Sequence, residues 1–278
     1  IRTELRPQNN RIESDPTTLD LVDGVTSAAV DKSIGFTLWT IPVGEREMAL
    51  YRRLVSSRQV DGFILHALRE NDPRIAYLQE QEFPFVVFGR LQPDEGDQWI
   101  DLDGAAGVEM AVQHLAELGH ERIGYLGPPR EQHLTHVRWN GFVKGMNDAN
   151  LRIDPALIFE GDFSEKSGQR GTHELLDSSN PPTGIICSND RMAFGAMRAI
   201  QARGLVVGKD VSVVGFDDIP LAHYSHPPLT TISQPFHEIG KMLFKLLMSR
   251  VSRTAKPIPG GIMFKPILQV RQSTGSPR

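Results

Sequence analysis

Short apolar runs alternate along the chain with amphipathic stretches. The run at 36–41 (FTLWTI) is followed by EREMALYRRLVSSR, where Met48, Tyr51, Leu54 and Val55 fall on one helical face. DGFILH (61–66) leads into PRIAYLQEQ, and FPFVVFGR (83–90) follows. In WIDLDGAAGVEMAVQHLAELGH, Asp103 suits an N-cap and Gly119 a C-terminal stop. Val108, Ala111, Val112, Leu115 and Leu118 recur between them at helical spacing. The strand RIGYLG (122–127) comes next, then a helix marked by Trp139, Phe142, Val143 and Met146. LIFEGDF, a helix from about Ser164, GIICSND, a helix over 192–203 stopped by Gly204, and VSVVGF complete the series. Strands alternating with helices at this spacing predict an α/β fold of parallel sheets with helices on both faces.

Ligand-binding residues in such sheets lie just past the carboxyl ends of strands. That rule selects His66, Gly89–Arg90, Asp162–Phe163, Ser188–Asn189–Asp190 and Asp217–Asp218, with Arg138 near the start of the helix after Gly127. Carboxylates accept from adjacent hydroxyls, arginine donates in a fork, and an aromatic ring covers the C–H face of a sugar. The set suits a polyhydroxylated small molecule.

With 278 residues the chain is too long for one ordinary core, so two lobes are expected. A 40% hydrophobic and 23% charged composition is that of a soluble globular protein. No apolar run is long enough to span a membrane. A formal charge of −4 without a basic cluster argues against a nucleic-acid surface in this stretch. The single cysteine, Cys187, sits in an apolar run and reads as an inert core thiol. His133 and His136 have a spacing that reaches a metal if helical, but nothing accompanies them at a ligand interval, so a solvated loop is expected. No G-x-S-x-G, P-loop or G-x-G-x-x-G occurs, and no catalytic residue, metal or cofactor is expected. Asp217 and Asp218 are sequence neighbours and do not flank a glycosidic bond as glycosidase carboxylates must.

Several stretches together resemble the LacI/GalR family of transcription regulators. They are HLAELGHERIGYLGPP, RWNGF, GDF, CSNDRMAFGAMRAIQARGLVVGKDVSVVGFDD, GFDDIPLAHYSHPPLTTISQP and the closing LQVRQST. The resemblance covers nearly the whole chain and is weakest over 1–35. It implies a periplasmic-binding-protein-like (type I) effector domain of two similar lobes, each a parallel β-sheet flanked by helices. The chain then crosses three times, near 101–104, 231–234 and 264–266. The N-terminal lobe is expected at 1–102 with 234–264, and the C-terminal lobe at 103–232 with 266–278.

The family pattern assigns effector contacts residue by residue. Asp217 is the acid of the GFDD segment, Arg138 the arginine of R-x-x-G-F, Phe163 the stacking ring and Asn189 the amide. Arg90 follows the fourth strand, where the preceding residue is usually an acid but is Gly89 here. Gln234 stands at the second crossing. On residue type alone, Asp217 is open between a ligand acceptor and a turn residue, Arg138 between a cleft and a surface ion pair, and Phe163 between stacking and packing. Asn189 is open between a contact and an N-cap, and Asp218 is expected to turn the loop or meet solvent. Residues 51–90 are further similar to a subgroup of α-glucoside and other disaccharide regulators, through Arg69 and Asp72–Pro73–Arg74. His66 and Arg69 are the candidates this adds.

The resemblance implies a cytoplasmic, homodimeric repressor. Its carbohydrate effector sits in the interlobe cleft and alters how a helix-turn-helix headpiece, expected upstream of Ile1, binds operator DNA. The other reading is a secreted sugar-binding protein serving a transporter. The reading frame upstream of Ile1 separates the two, by a helix-turn-helix region or a signal peptide.

Overall fold

The computed structural model describes residues 2–4, 16–30, 32–39, 44–69, 71–90, 98–128, 133–252 and 258–278. The chain folds into two compact units, Ile1–Leu102 with Pro235–Phe264 and Asp103–Gln234 with Lys265–Arg278. Gln234, expected to open the returning part of the first lobe, belongs here to the second unit.

In the first unit, β3 (Phe63–Leu65), β4 (Phe85–Phe88), β5 (Trp99–Leu102) and β11 (Ile262–Phe264) form a parallel sheet in the order β11-β5-β4-β3. β1 (Arg2–Glu4) and β2 (Thr37–Trp39) pair in parallel as a separate ribbon. Of the strand expected at 36–41, 37–39 are strand, Phe36 lies just before it, and residues 40–43 lie outside the described residues. Phe63, Ile64 and Leu65 are all buried, as expected of a parallel strand covered on both faces. α2 (Glu45–Ser56) and α3 (Pro73–Glu80) give Leu50, Tyr51, Leu54 and Leu78 to the core on one side of the sheet strands. α1 (Pro16–Val30) packs on α9 (Phe236–Val251), where glycines bring the two backbones together: a Cβ on Gly24 would collide with the carbonyl of His237.

In the second unit, the strands are β6 (Ile123–Gly127), β7 (Ile158–Glu160), β8 (Gly184–Cys187), β9 (Ser212–Asp217), β10 (Thr230–Ser233) and β12 (Ile267–Gln269). Their order is β12-β10-β9-β8-β6-β7, and β12 alone runs antiparallel. The helices are α4 (Gly104–Glu117), α5 (His133–Asp148), α6 (Glu165–Leu176), α7 (Asp190–Ala202) and the short α8 (Pro220–Tyr224). Strand alternation shows how they divide. Phe216 packs against Gly107 of α4, and the adjacent Gly215 packs against Asp190 of α7, so α4 with α5 and α6 with α7 lie on opposite faces. The caps follow the sequence: Asp103 accepts from the Ala106 amide at 3.0 Å, and Gly119 takes φ 96°. The HLTH stretch departs from expectation. His133 opens α5 and an exposed His136 follows one turn on, so these residues are helical and not a loop. The described residues hold no group of metal-capable side chains.

Candidate functional site

Because β6–β10 run parallel, their carboxyl ends share one edge of the second unit's sheet. Five of the residues singled out from the sequence stand there, just past those ends or on the helix that follows. Asp217 closes β9 and Gln234 follows β10. Gln234 Nε2 donates to Asp217 Oδ1 at 2.5 Å. Arg138, on α5, approaches the same Asp217 oxygen at 4.0 Å. It donates through Nη1 to the carbonyl of Ser188, and its guanidinium lies 3.8 Å from the centroid of the Phe216 ring. Burial pulls Arg138 below its ordinary value, and the charges of Asp217, Tyr125 and Asp190 oppose that pull. Arg138 is therefore buried beside Asp217 and not part of a surface ion pair.

Asn189 is both cap and clamp. Its side-chain oxygen accepts from the Met192 amide at 2.8 Å, and its Nδ2 donates to the carbonyl of Phe163 at 3.1 Å. That leaves one amide N–H of Asn189 beyond these bonds. Phe163 is half-buried and sits at φ 65°; Asp217 sits at φ 122° and Asp218 at φ 57°. Non-glycine residues adopt these conformations at a cost of order 1–3 kcal/mol each, which the surrounding bonds must offset. Such strain clusters where a side chain is aimed for use. Asp218 does turn the loop, and its partly exposed carboxylate meets Arg271 Nη2 at 2.6 Å.

The first unit holds the other three candidates. His66 follows β3, and its ring lies parallel to Phe88 at 5.7 Å, which in turn meets Phe236 edge-on. Arg90, two residues past β4, lies over Trp99 with its guanidinium 4.9 Å from the ring centroid. Arg69 donates to Glu47 Oε2 at 2.7 Å and faces Asp72 Oδ1 at 3.5 Å. Behind it Arg74 is buried against Asp72 through Nε at 2.9 Å and Nη2 at 2.5 Å, and Nη2 also reaches the carbonyls of His66 and Ala67. The Asp-Pro-Arg tripeptide thus builds an internal ion cluster that fixes the loop carrying His66. Burial pushes Asp72 up, but the hydrogen bonds and charge of Arg74 outweigh it and hold the carboxyl below its ordinary value.

Sequence reasoning passes over Phe216, Thr231, Arg271 and Glu47. Phe216 reads as one more apolar strand residue. Glu47 occupies a first-turn position of α2, where an exposed acid is ordinary, yet it is buried. No periodicity in the sequence marks either one.

The model of a periplasmic binding protein-like domain matches residues 112–274. The chain is 32% identical over 239 residues to the HTH-type transcriptional repressor CytR of Escherichia coli, covering 85% of this chain and 70% of that protein. It is 31% identical over 268 residues to the HTH-type transcriptional regulator CelR of Thermobifida fusca, covering 95% of this chain and 78% of that protein. Among solved structures it resembles a regulatory protein of the LacI family from Chloroflexus aggregans, with TM-score 0.89 and 33% identity over 99% of this chain and 98% of that one. It also resembles a complex of the transcriptional regulator CelR with cellobiose, with TM-score 0.88 and 30% identity over 98% of this chain and 83% of that one.

Proposed function

The chain belongs to the LacI/GalR family of transcriptional regulators as its effector-binding, periplasmic-binding-protein-like part, and from that footing we propose that it reads a small carbohydrate. The observation that carries this reading is the strained Asp217, aimed by Gln234 and Arg138 at the carboxyl ends of the parallel strands. In the proposed roles Asp217 accepts from sugar hydroxyls, Arg138 donates, Asn189 and Gln234 supply amide groups, and Phe163 covers a C–H face. His66 and Arg90 are proposed as contacts from the first unit. Arg69 is already committed to Glu47 and Asp72, so it contributes only through its remaining N–H groups.

The solved complex of CelR with cellobiose supports a disaccharide effector, as does the disaccharide-regulator resemblance of residues 51–90. The protein is proposed to act as a homodimeric repressor in the cytoplasm. Operator DNA is read by a helix-turn-helix region of the kind named in its relatives, and effector binding alters operator affinity. No catalytic step is assigned to it.

Thermal unfolding against cellobiose, maltose, trehalose and glucose tests the reading. A ligand at a hundred times its dissociation constant stabilises the native state by about 2.7 kcal/mol, a readable shift. One sugar is expected to raise the midpoint, and Asp217→Ala to abolish the effect. A shift produced by a nucleoside or a phosphorylated sugar and by no free sugar would overturn the carbohydrate assignment. A gel shift of the full-length protein tests the regulatory half; operator affinity that ignores the active sugar would sink it.

A further inference from the structure

Ser188, Asn189 and Asp190 follow β8 as consecutive residues, and each holds a different part of the site. The Ser188 carbonyl accepts from Arg138, and the Asn189 amide holds the Phe163 carbonyl. Asp190 is fully buried at the first position of α7. Its Oδ2 accepts from the Ile219 amide at 2.8 Å, two residues past Asp217, and its Oδ1 is 2.5 Å from the Thr231 hydroxyl of β10. Only glycine at 215 leaves room for this carboxyl, since a Cβ there would overlap Oδ1. The Thr231 bond anchors the carboxyl to β10, and the Ile219 bond pins the short turn Asp217–Asp218–Ile219, whose first two residues have positive φ.

We propose that Asp190 is the positioning residue of this site: its buried carboxyl ties the Asp217 turn to α7 and β10, and so sets where the ligand-facing carboxylate stands. The inference rests on the reading of Asp217 as an effector contact.

The bond to Ile219 depends on the charge of Asp190. Burial pushes Asp190 up to about 7, against the bonds from Thr231 and Ile219 that lower it. The charged groups that act on it are Asp218, which raises it, and Arg271, which lowers it; it in turn acts on Arg138 and Cys187. An ionised Asp190 accepts from both donors, and its bond to the Ile219 amide is charge-assisted. A protonated Asp190 still accepts from Ile219, more weakly, and can donate to Thr231. Asparagine reproduces that neutral pattern; alanine reproduces neither bond.

Amide exchange at Ile219, followed by NMR from pH 6 to 8 and corrected for intrinsic rates, is the first arm. Wild-type protection is expected to rise as pH passes through about 7. Asp190→Asn should be protected with no pH step, and Asp190→Ala should lose protection by about tenfold or more. Thr231→Val, which removes one bond that lowers Asp190, should move the step to higher pH; with Asp190→Asn it keeps the test decisive should Asp190→Ala fail to fold. Titration with cellobiose is the second arm. Asp190→Ala should bind at least about tenfold more weakly, and Asp190→Asn close to wild type. Unchanged Ile219 protection in Asp190→Ala, or a pH step that survives in Asp190→Asn, overturns the proposal. If cellobiose binds none of the proteins while exchange behaves as expected, the positioning role of Asp190 stands, and the carbohydrate reading alone fails for this sugar.

Discussion

Replacing Arg74 by methionine tests whether the ion cluster under the His66 loop is structural. The Arg74 side chain is 1% exposed, that of Asp72 is 0% exposed and that of Glu47 2%. The guanidinium makes two close bonds to Asp72, lies 3.6 Å from Glu47 Oε1, and donates to the backbone of His66 and Ala67. Methionine fills much of the volume but leaves two buried carboxylates with Arg69 as the cation between them. Breaking a buried pair from one side costs about 3–5 kcal/mol, because the remaining charge is uncompensated. That is a large part of the roughly 5–15 kcal/mol by which domains are stable.

The pH dependence has a sign that packing loss alone does not reproduce. In the wild type the Asp72 carboxyl is held below its ordinary value. Its contribution is complete above that ordinary value of 3.8 and is lost as pH falls through the lower folded one. In Arg74→Met the burial that raises Asp72 prevails, so the variant gains stability relative to wild type as pH falls from 7 toward 4. Urea unfolding in a Trp139→Phe background, followed by the emission of Trp39 and Trp99, reports the first unit. A loss below about 1 kcal/mol, with the wild-type pH slope retained, would refute a structural role for the cluster.

Single residues elsewhere give three further outcomes. Among the described residues the buried Tyr125 hydroxyl meets no hydrogen-bond partner, and burial pushes it up strongly, so Tyr125→Phe should stabilise the second unit by about 1 kcal/mol; a loss in urea unfolding would show that the hydroxyl is satisfied. His120 accepts at Nδ1 from Thr183 and donates from Nε2 to the Gly275 carbonyl, and burial lowers it below its ordinary 6.5. Stability tied to the neutral ring is therefore complete above pH 6.5 and is lost as pH falls toward the folded value; melts from pH 8 to 5 should show a loss that is smaller in His120→Gln. Gly168→Ala places a Cβ against the Met192 backbone where α6 crosses α7, and should cost about 1–3 kcal/mol by chemical denaturation despite the better helix propensity of alanine.

The sequence shows those features whose cause is local and repeated. Apolar runs covered on both faces, caps at Asp103 and Asn189 and stops at Gly119 and Gly204 all act within a few residues, so the α/β alternation can be read directly. The strand-end rule then gathers Arg138, Phe163, Asn189 and Asp217 without any knowledge of contacts. It fails where a role depends on what the fold later brings opposite a residue. HLTH reads as loop because its few polar residues carry no apolar period, yet α5 begins at His133. Arg69 reads as a ligand group through the disaccharide-regulator resemblance, and beyond the neighbouring Asp72 its carboxylate partner cannot be seen in the sequence. Glu47 lies 22 positions away, on a helix where it reads as a surface acid. Asp190 is the sharpest case. An acid at the first position of a helix is accounted for by the helix dipole, and nothing nearby announces burial. Its partners lie 29 and 41 residues downstream, on two other elements. Place along the chain marks Asp217 and Asp190 alike, and only packing separates the residue that would touch a ligand from the one that holds it. A substitution survey of this site that begins from the sequence therefore selects Asp217 and Asp190 alike as strand-end acids and does not tell the ligand-facing one from the one that holds it, although the bonds to Ile219 and Thr231 and the strain of the turn make the second a condition for the first.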